Sequence, residues 1–517
     1  MKVVIAAAGK SQRFQVAGFV TPKFLLNVFN VTMLEQVLQM FDVEDEYLIV
    51  ITDKIMSAHQ KYFDYLCSTY KHITILGITE HDRGPVDTIH RPEVLDWIGV
   101  DSFIISYCDF FVKWDYRAFL NHIASTGVDG SIVSFTGIQP STRGSTLFAY
   151  LKINQMRVLE VREKSSFTKN RSQEYASTGI YYFRSVVIFK EAVLRAEKYL
   201  NALAERYVSL VYNGLLELGG QVSHFPVSHF VCLGTPKDYD EFSFWRNFYN
   251  DLETFQAILP SVKNKLIPMA GLGSRFSRAG ISVPKPLIPI RNKAMFIRAV
   301  ESYPQAENTF VVVLQENTER VRRAFQSTNK SIILCELTDR TTGPGETILK
   351  SLETISLNDD VLVMSCDYEQ FCEPDIFEEA KDDIKTDVIL FYTNFNRYRM
   401  SDPNAFAYCK TTEDGYVESI VEKRPLSSTP ENDKLLIGSF WFRNSDLLEL
   451  ALTKAHFEDR LVNGELYVAN SLNVLLEMGK KIRAIPVKYW ITFGDSDEFL
   501  IYHWWEELFT YLKNRAL

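Results

Sequence analysis

No run of about 18 apolar residues occurs anywhere in the chain, which excludes an ordinary membrane-spanning helix. Positive charge is also short. Acidic residues number 65 against 56 basic ones, for a net charge of −9. A general nucleic-acid binder carries a basic face, so none is expected, and the expected partner is small. Cysteine is sparse: seven residues (67, 108, 232, 335, 366, 372, 409), odd in number, with no C-x-x-C pair and no metal-ligand spacing. That argues against a disulfide framework and for a reducing cytoplasm. Nor is there a convincing Ser-His-Asp or Cys-His arrangement for a covalent nucleophile. What remains is an ordinary globular mixture, 46% hydrophobic and 23% charged, with no sign of disorder.

The chain is organised around Leu266-Ile-Pro-Met-Ala-Gly-Leu-Gly-Ser-Arg-Phe-Ser-Arg-Ala-Gly-Ile-Ser-Val-Pro-Lys-Pro-Leu287. A short apolar run opens into a loop containing Ala270, Gly271, Gly273, Ser274 and Arg275, and ten residues later Lys285 sits between two prolines. Glycines let backbone N–H groups turn around a phosphate, while the arginine and lysine add positive charge. The pattern suits a triphosphate cradle. It occurs twice. Val3-Val-Ile-Ala-Ala-Ala-Gly-Lys-Ser-Gln-Arg-Phe14, followed by Pro22-Lys23-Phe24-Leu25, sets Arg13 and Lys23 each 262 residues before Arg275 and Lys285. Ala8, Gly9 and Ser11 are then the first loop's phosphate-facing residues. The recurrence also explains why the head of the chain, with Lys2 and its alanines, is expected to belong to the fold and not to a signal peptide. At 517 residues the chain exceeds one ordinary core, and the period divides it into two domains, expected at 1–256 and 263–517 with a junction near Ala257–Asn264.

Further landmarks recur in register. Thr32 is placed to cap a helix over Met33–Phe41, and apolar runs at Tyr47–Thr52, Ile73–Leu76 and Phe103–Ser106 read as buried strands of a largely parallel sheet. Gly84-Pro and Gly343-Pro would turn backbone N–H groups toward a bound group, unless they are plain strand-to-helix turns. Asp109 and Asp367 each follow an apolar strand and a cysteine; such a carboxylate can hold Mg²⁺ with phosphate oxygens, or cap a helix. Glu163-Lys164 and Glu422-Lys423 each end a strand, where the carboxylate could accept sugar hydroxyls and the lysine hold a phosphate; a solvated edge is the plain alternative. Gly179 and Gly438 each stand ahead of an aromatic strand, where a ligand could approach the backbone. Each half ends in an aromatic-rich helix, read as packing surface.

These residues resemble the sugar-nucleotidyltransferase family, in two tandem copies over nearly the whole chain. The specific match is G-x-G-x-R-F/L with a downstream P-K-P-L, complete as Gly271, Gly273, Arg275 and Pro284–Leu287. The resemblance implies two tandem Rossmann-like (GT-A-like) α/β domains, each a mostly parallel mixed sheet flanked by helices. It implies an Mg²⁺-dependent reaction of an NTP, a pyrimidine or thymidine nucleotide being favoured, with a sugar phosphate or similar molecule, releasing pyrophosphate. By resemblance, Arg13 and Arg275 contact the triphosphate, Lys23 and Lys285 steady the α-phosphate, and Asp109 and Asp367 bind the metal. Gly84 and Gly343 line the base pocket, and Glu163, Lys164, Gly179, Glu422, Lys423 and Gly438 face the sugar phosphate. Surface-polysaccharide or nucleotide-sugar supply is the implied setting, and a homo-oligomer stays open.

The first copy departs from the pattern at Ser11 and Phe24. A second metal-binding Asp often found near the end of the family's domains is replaced by Cys232 and Thr492, with Asp495 and Asp497 close by as candidate substitutes. One copy catalytic and one regulatory, a GT-A glycosyltransferase using an NDP-sugar, and a non-catalytic scaffold are the alternatives. A GT-A enzyme would want a D-x-D motif, which Asp367-Tyr-Glu369 meets only in part.

Overall fold

Near-continuous apolar runs dictate the centre of each sheet. Val3, Val4 and Ile5 are fully buried, as are Ile49, Val50 and Ile51, the pattern of strands covered on both faces. The structure, a computed structural model, describes residues 1–142, 148–256, 261–271, 276, 280–290, 292–326, 331–396, 400 and 402–515. The chain separates into two compact units, Met1–Asn247 with Glu507–Leu517, and Phe248–Glu506. Of the expected junction, 257–260 lie outside the described residues.

In the first unit a nine-stranded sheet runs in the order Ile73–Ile78, Glu46–Thr52, Lys2–Ala6, Phe103–Tyr107, Tyr175–Phe183, Gly130–Phe135, Val222–Pro226, Arg157–Glu163, Ala149–Asn154. Lys2–Ala6 pairs parallel with both neighbours, whereas Tyr175–Phe183 is antiparallel to both of its own. The sheet is therefore mixed. The second unit orders its strands Ile333–Leu337, Ala306–Leu314, Val262–Pro268, Val361–Val363, Lys434–Phe442, Val388–Asn394, Ile482–Pro486. This is the same sequence of strands as the first seven of unit one. Both units are α/β, with helices packed on the sheet, as the alternation of apolar runs and amphipathic stretches predicts.

Thr32 caps the helix Met33–Leu38 in a full capping box with Glu35, worth about 1 kcal/mol. The terminal helices Pro236–Gln256 and Ser496–Arg515 bury their aromatics: Phe242 meets Phe29 in the first unit, and Phe248 meets Phe371 and Tyr489 in the second. Gly179 and Gly438 differ from expectation. They stand inside their strands, not ahead of them, both with positive φ and both where the register with the neighbouring strand slips. Glycine there lets the strand bulge without breaking. Among the described residues no helix is long and apolar enough to cross a membrane.

Candidate functional site

In each unit a short antiparallel ribbon leaves the strand that carries the aspartate: Phe110–Lys113 with His229–Cys232, and Tyr368–Phe371 with Tyr489–Thr492. The ribbon's return fixes the aspartate backbone. The Leu233 N–H donates to the Asp109 carbonyl and the Phe493 N–H to that of Asp367, both at 2.8 Å. Lys23 and Lys285 lie in 3-10 turns led by Pro22 and Pro284. Lys23 Nζ donates to Asp109 Oδ2 at 2.6 Å, and Lys285 Nζ to Asp367 Oδ2 at 2.5 Å. The structure thus joins, in both units, a lysine and an aspartate more than 80 residues apart in sequence.

Burial works against the Lys23 ammonium, but the Asp109 carboxylate outweighs it and holds the lysine above its ordinary pKa. Burial also pushes the Asp367 carboxyl up, and the Lys285 ammonium outweighs that, holding it below the usual range. The neighbouring Cys108 and Cys366 are pushed by burial up to about 12. As neutral thiols they are poor nucleophiles.

Arg13 is exposed, and its side chain makes no hydrogen bond or ion pair among the described residues. Its charge acts on both Lys23 and Tyr207. Gly9 is exposed and Ala8 buried. Ser11 has φ 53°, the left-handed region that glycine adopts without cost, which gives a physical reason for a glycine at this position. In the second loop Ala270 is buried and Gly271 exposed; Gly273, Ser274 and Arg275 lie outside the described residues.

The Gly-Pro turns sit against the segments that carry two further residues, Tyr207 and Tyr467. Gly84 has φ +97°, and a Cβ there would lie 2.6 Å from the Arg206 amide nitrogen. Gly343 abuts Glu465 and Leu466. Across from these turns, Lys164 and Lys423 share one backbone conformation, φ 56°. Lys164 Nζ stands 4.6 Å from the centre of the Tyr207 ring and donates to its hydroxyl; Lys423 Nζ stands 5.0 Å from the Tyr467 ring and donates to the Ala405 carbonyl. Each tyrosine hydroxyl also donates to the glutamate two residues before it, Glu205 or Glu465. These tyrosines and glutamates escaped the sequence reading although Glu-x-Tyr-Val recurs at 205–208 and 465–468. Glu163 and Glu422 stand beside the lysines, both carboxyls raised by burial, Glu422 to about 7.

Among the described residues, Asp109 has one carboxylate oxygen on Lys23 and no hydrogen bond at the other, while the Asp367 Oδ1 receives the Ser365 hydroxyl at 2.5 Å. Each therefore has lone pairs to spare for a hard cation. Among the described residues no group of three or more His, Cys, Asp or Glu could hold a metal ion. The residues fit an ion held by one carboxylate and the oxygens of a bound phosphate. Asp495 Oδ1 accepts the N–H groups of Asp497 and Glu498 at the start of the terminal helix. At the same ends of the ribbons Asp238 accepts from Thr235 and Cys232, and Glu498 from Thr492 and Gly494.

Residues 266–394 match the model of the MobA-like NTP transferase domain. The matched segment contains the second loop, Lys285, Gly343 and Asp367. A stretch of 233 residues is 25% identical to the bifunctional protein GlmU of Methanococcus maripaludis, in strain C7 and again in strain C5. It covers 44% of this chain and spans 51% of the length of those relatives. Among solved structures, the nucleoside-diphosphate-sugar pyrophosphorylase of Vibrio cholerae RC9 is similar at 23% identity and a TM-score of 0.37, over 47% of this chain and 99% of its own. The inositol-1-phosphate CTP transferase of T. maritima is similar at 12% identity and a TM-score of 0.38, over 48% and 97%.

Proposed function

We propose that the chain is a cytoplasmic enzyme with two nucleotidyltransferase sites, one per unit, each joining a nucleoside triphosphate to a phosphorylated small molecule with release of pyrophosphate. The single observation that carries this reading is the lysine–aspartate pair held in the same way in both units, at 2.6 and 2.5 Å. The same strand order in both units favours tandem copies of one fold, within boundaries near 1–256 and 263–517.

In the reaction a phosphate oxygen of the co-substrate attacks the α-phosphorus of the NTP, and the bond from that phosphorus to the β-phosphate oxygen breaks. The nucleophile is already anionic, so no general base is needed. The protein must instead hold two anions in line and neutralise the added charge. Arg13 in the first unit and Arg275 in the second would hold the triphosphate and the leaving pyrophosphate. Lys23 and Lys285, kept cationic by their aspartates, would face the α-phosphate. Asp109 and Asp367 would hold Mg²⁺, which screens phosphate charge and polarises the reacting phosphoryl group when bound. The loop backbone at Gly9, Ser11 and Gly271 would offer N–H groups to phosphate oxygens, with Ala8 and Ala270 buried beside it, and the sequence pattern assigns Gly273 and Ser274 the same role. The Gly84 and Gly343 turns would read the base, a pyrimidine or thymine, through backbone groups. Glu163 with Lys164 and Glu422 with Lys423 would bind the co-substrate, a sugar phosphate or a close relative for nucleotide-sugar supply, with Gly179 and Gly438 opening the strand to it.

The test is the identity of the released product. Purified protein with Mg²⁺ is given CTP, UTP, dTTP, ATP or GTP against glucose 1-phosphate, N-acetylglucosamine 1-phosphate, mannose 1-phosphate, inositol 1-phosphate and glycerol 3-phosphate. Pyrophosphate from one or more pairs is expected. Release of NDP from an NDP-sugar, with no pyrophosphate from any pair, would contradict the reading and favour a glycosyltransferase.

A further inference from the structure

The helix behind each co-substrate pocket is locked to its strand by one asparagine. Asn213 exchanges both amide bonds with the Val161 backbone at 2.9 Å, and Asn473 does the same with Ile420 at 3.2 and 3.0 Å. This fork fixes the register of helix on strand identically in the two units. Two residues along each strand stands the pocket glutamate, Glu163 or Glu422. One helical turn before Asn213 stands the side chain that faces the glutamate. In the first unit this is Ser209, whose hydroxyl donates to Glu163 Oε2 at 2.6 Å. The same position in the second unit, four residues before Asn473, is Ala469, which has no hydroxyl to donate.

The consequence is visible at the carboxylate. Glu422 Oε2 is buried and has no hydrogen-bond partner among the described residues. The charged groups acting on it are Lys423, next in the chain, and Glu465, from the segment before the helix. Lys423 spends its ammonium on the Ala405 carbonyl and the Tyr467 ring, and Glu465 only repels. A buried acceptor without a donor is costly, and a ligand that supplies the donor recovers that cost.

We infer that Glu422 takes from a hydroxyl of the phosphorylated co-substrate the hydrogen bond that Glu163 takes from Ser209, so that the residue at 209 or 469 sets which hydroxyl pattern each unit accepts. Ser209 is a positioning residue acting through Glu163. The first unit, where Glu163 Oε2 already has a donor in Ser209, tolerates a co-substrate lacking that hydroxyl; the second does not. This deepens the nucleotidyltransferase reading and rests on it.

The test isolates each unit in the full chain, with Lys23→Ala silencing the first and Lys285→Ala the second. The probe is whichever phosphate in the panel above gives most pyrophosphate with the unit under study, together with its monodeoxy derivatives. With the second unit working, one deoxy derivative should have a KM raised about tenfold to a hundredfold with kcat little changed. Ala469→Ser should shrink that penalty to under about threefold by weakening the parent substrate, and should raise the melting temperature of the ligand-free protein. With the first unit working, no comparable penalty should appear until Ser209→Ala is introduced. Equal KM values across the deoxy series with the second unit, or a penalty unchanged by Ala469→Ser, would overturn the inference while leaving the transferase reading intact. No pyrophosphate from any pair would contradict the transferase reading itself, and the inference with it.

Discussion

The two units solve one problem twice, and the differences between them locate where chemistry constrains the chain. Around the lysine–aspartate pair they agree in detail, down to the same 2.8 Å backbone bond on the aspartate carbonyl. Around the co-substrate they diverge: Ser209 against Ala469, and Lys164 on a tyrosine hydroxyl against Lys423 on a main-chain carbonyl. If both units take a triphosphate, as proposed, its reacting groups are the same whatever is joined to it, and the second substrate is where the two sites would differ.

The largest expected effects break the common part. Asp109→Asn and Asp367→Asn should each lower the rate of their own unit about a hundredfold or more, since the charge that orients lysine and cation is lost; steady-state pyrophosphate release at saturating Mg²⁺ checks this. If only one substitution matters, the other unit is regulatory.

A smaller contrast concerns the Gly-Pro turns. Gly84 combines positive φ with a prospective Cβ contact of 2.6 Å, whereas Gly343 is extended and its nearest contact is 3.2 Å. Gly84→Ala should destabilise the first unit by about 3 kcal/mol and Gly343→Ala the second by about 1 kcal/mol, measured by denaturant unfolding. Equal costs would mean that the close approach to Arg206 is relieved elsewhere.

Glu422 gives a pH signature. Its folded pKa, raised to about 7 by burial, exceeds the unfolded value of about 4.3. Its contribution to stability is therefore fully present below the unfolded pKa and lost as pH rises through about 7. Glu422→Gln should remove this loss, a relative gain on the order of 2 kcal/mol at pH 8 over pH 5 in the ligand-free protein. A flat difference across that range would show that Glu422 is solvated. The smallest effect is at the first loop. Ser11→Gly relieves a left-handed serine at the cost of a more flexible unfolded chain, for a net gain of about 0.5 kcal/mol.

Secondary structure was legible wherever one physical requirement dominates. Buried parallel strands must be apolar throughout, and Thr32 with Glu35 has the signature of a capping box. Long-range pairing was not legible, because Lys23 finds Asp109 only through the order of strands in the sheet. Gly179 was misplaced because a glycine that permits a bulge inside a strand reads like one that precedes a strand. The Ser209–Ala469 difference was invisible for another reason. On an amphipathic helix both are unremarkable small residues, and only the asparagine fork reveals that this position faces a carboxylate. Asp495 Oδ1 accepts N–H groups at a helix start, a capping role that the sequence does not distinguish from a metal ligand.

The most direct test of two independent transferase sites is the substrate profile of Lys23→Ala against that of Lys285→Ala, read as pyrophosphate release over the full panel of triphosphates and phosphorylated co-substrates. The account predicts that each substitution removes one set of substrate pairs and spares the other. Loss of every pair with either substitution alone, the other leaving all of them intact, would contradict it.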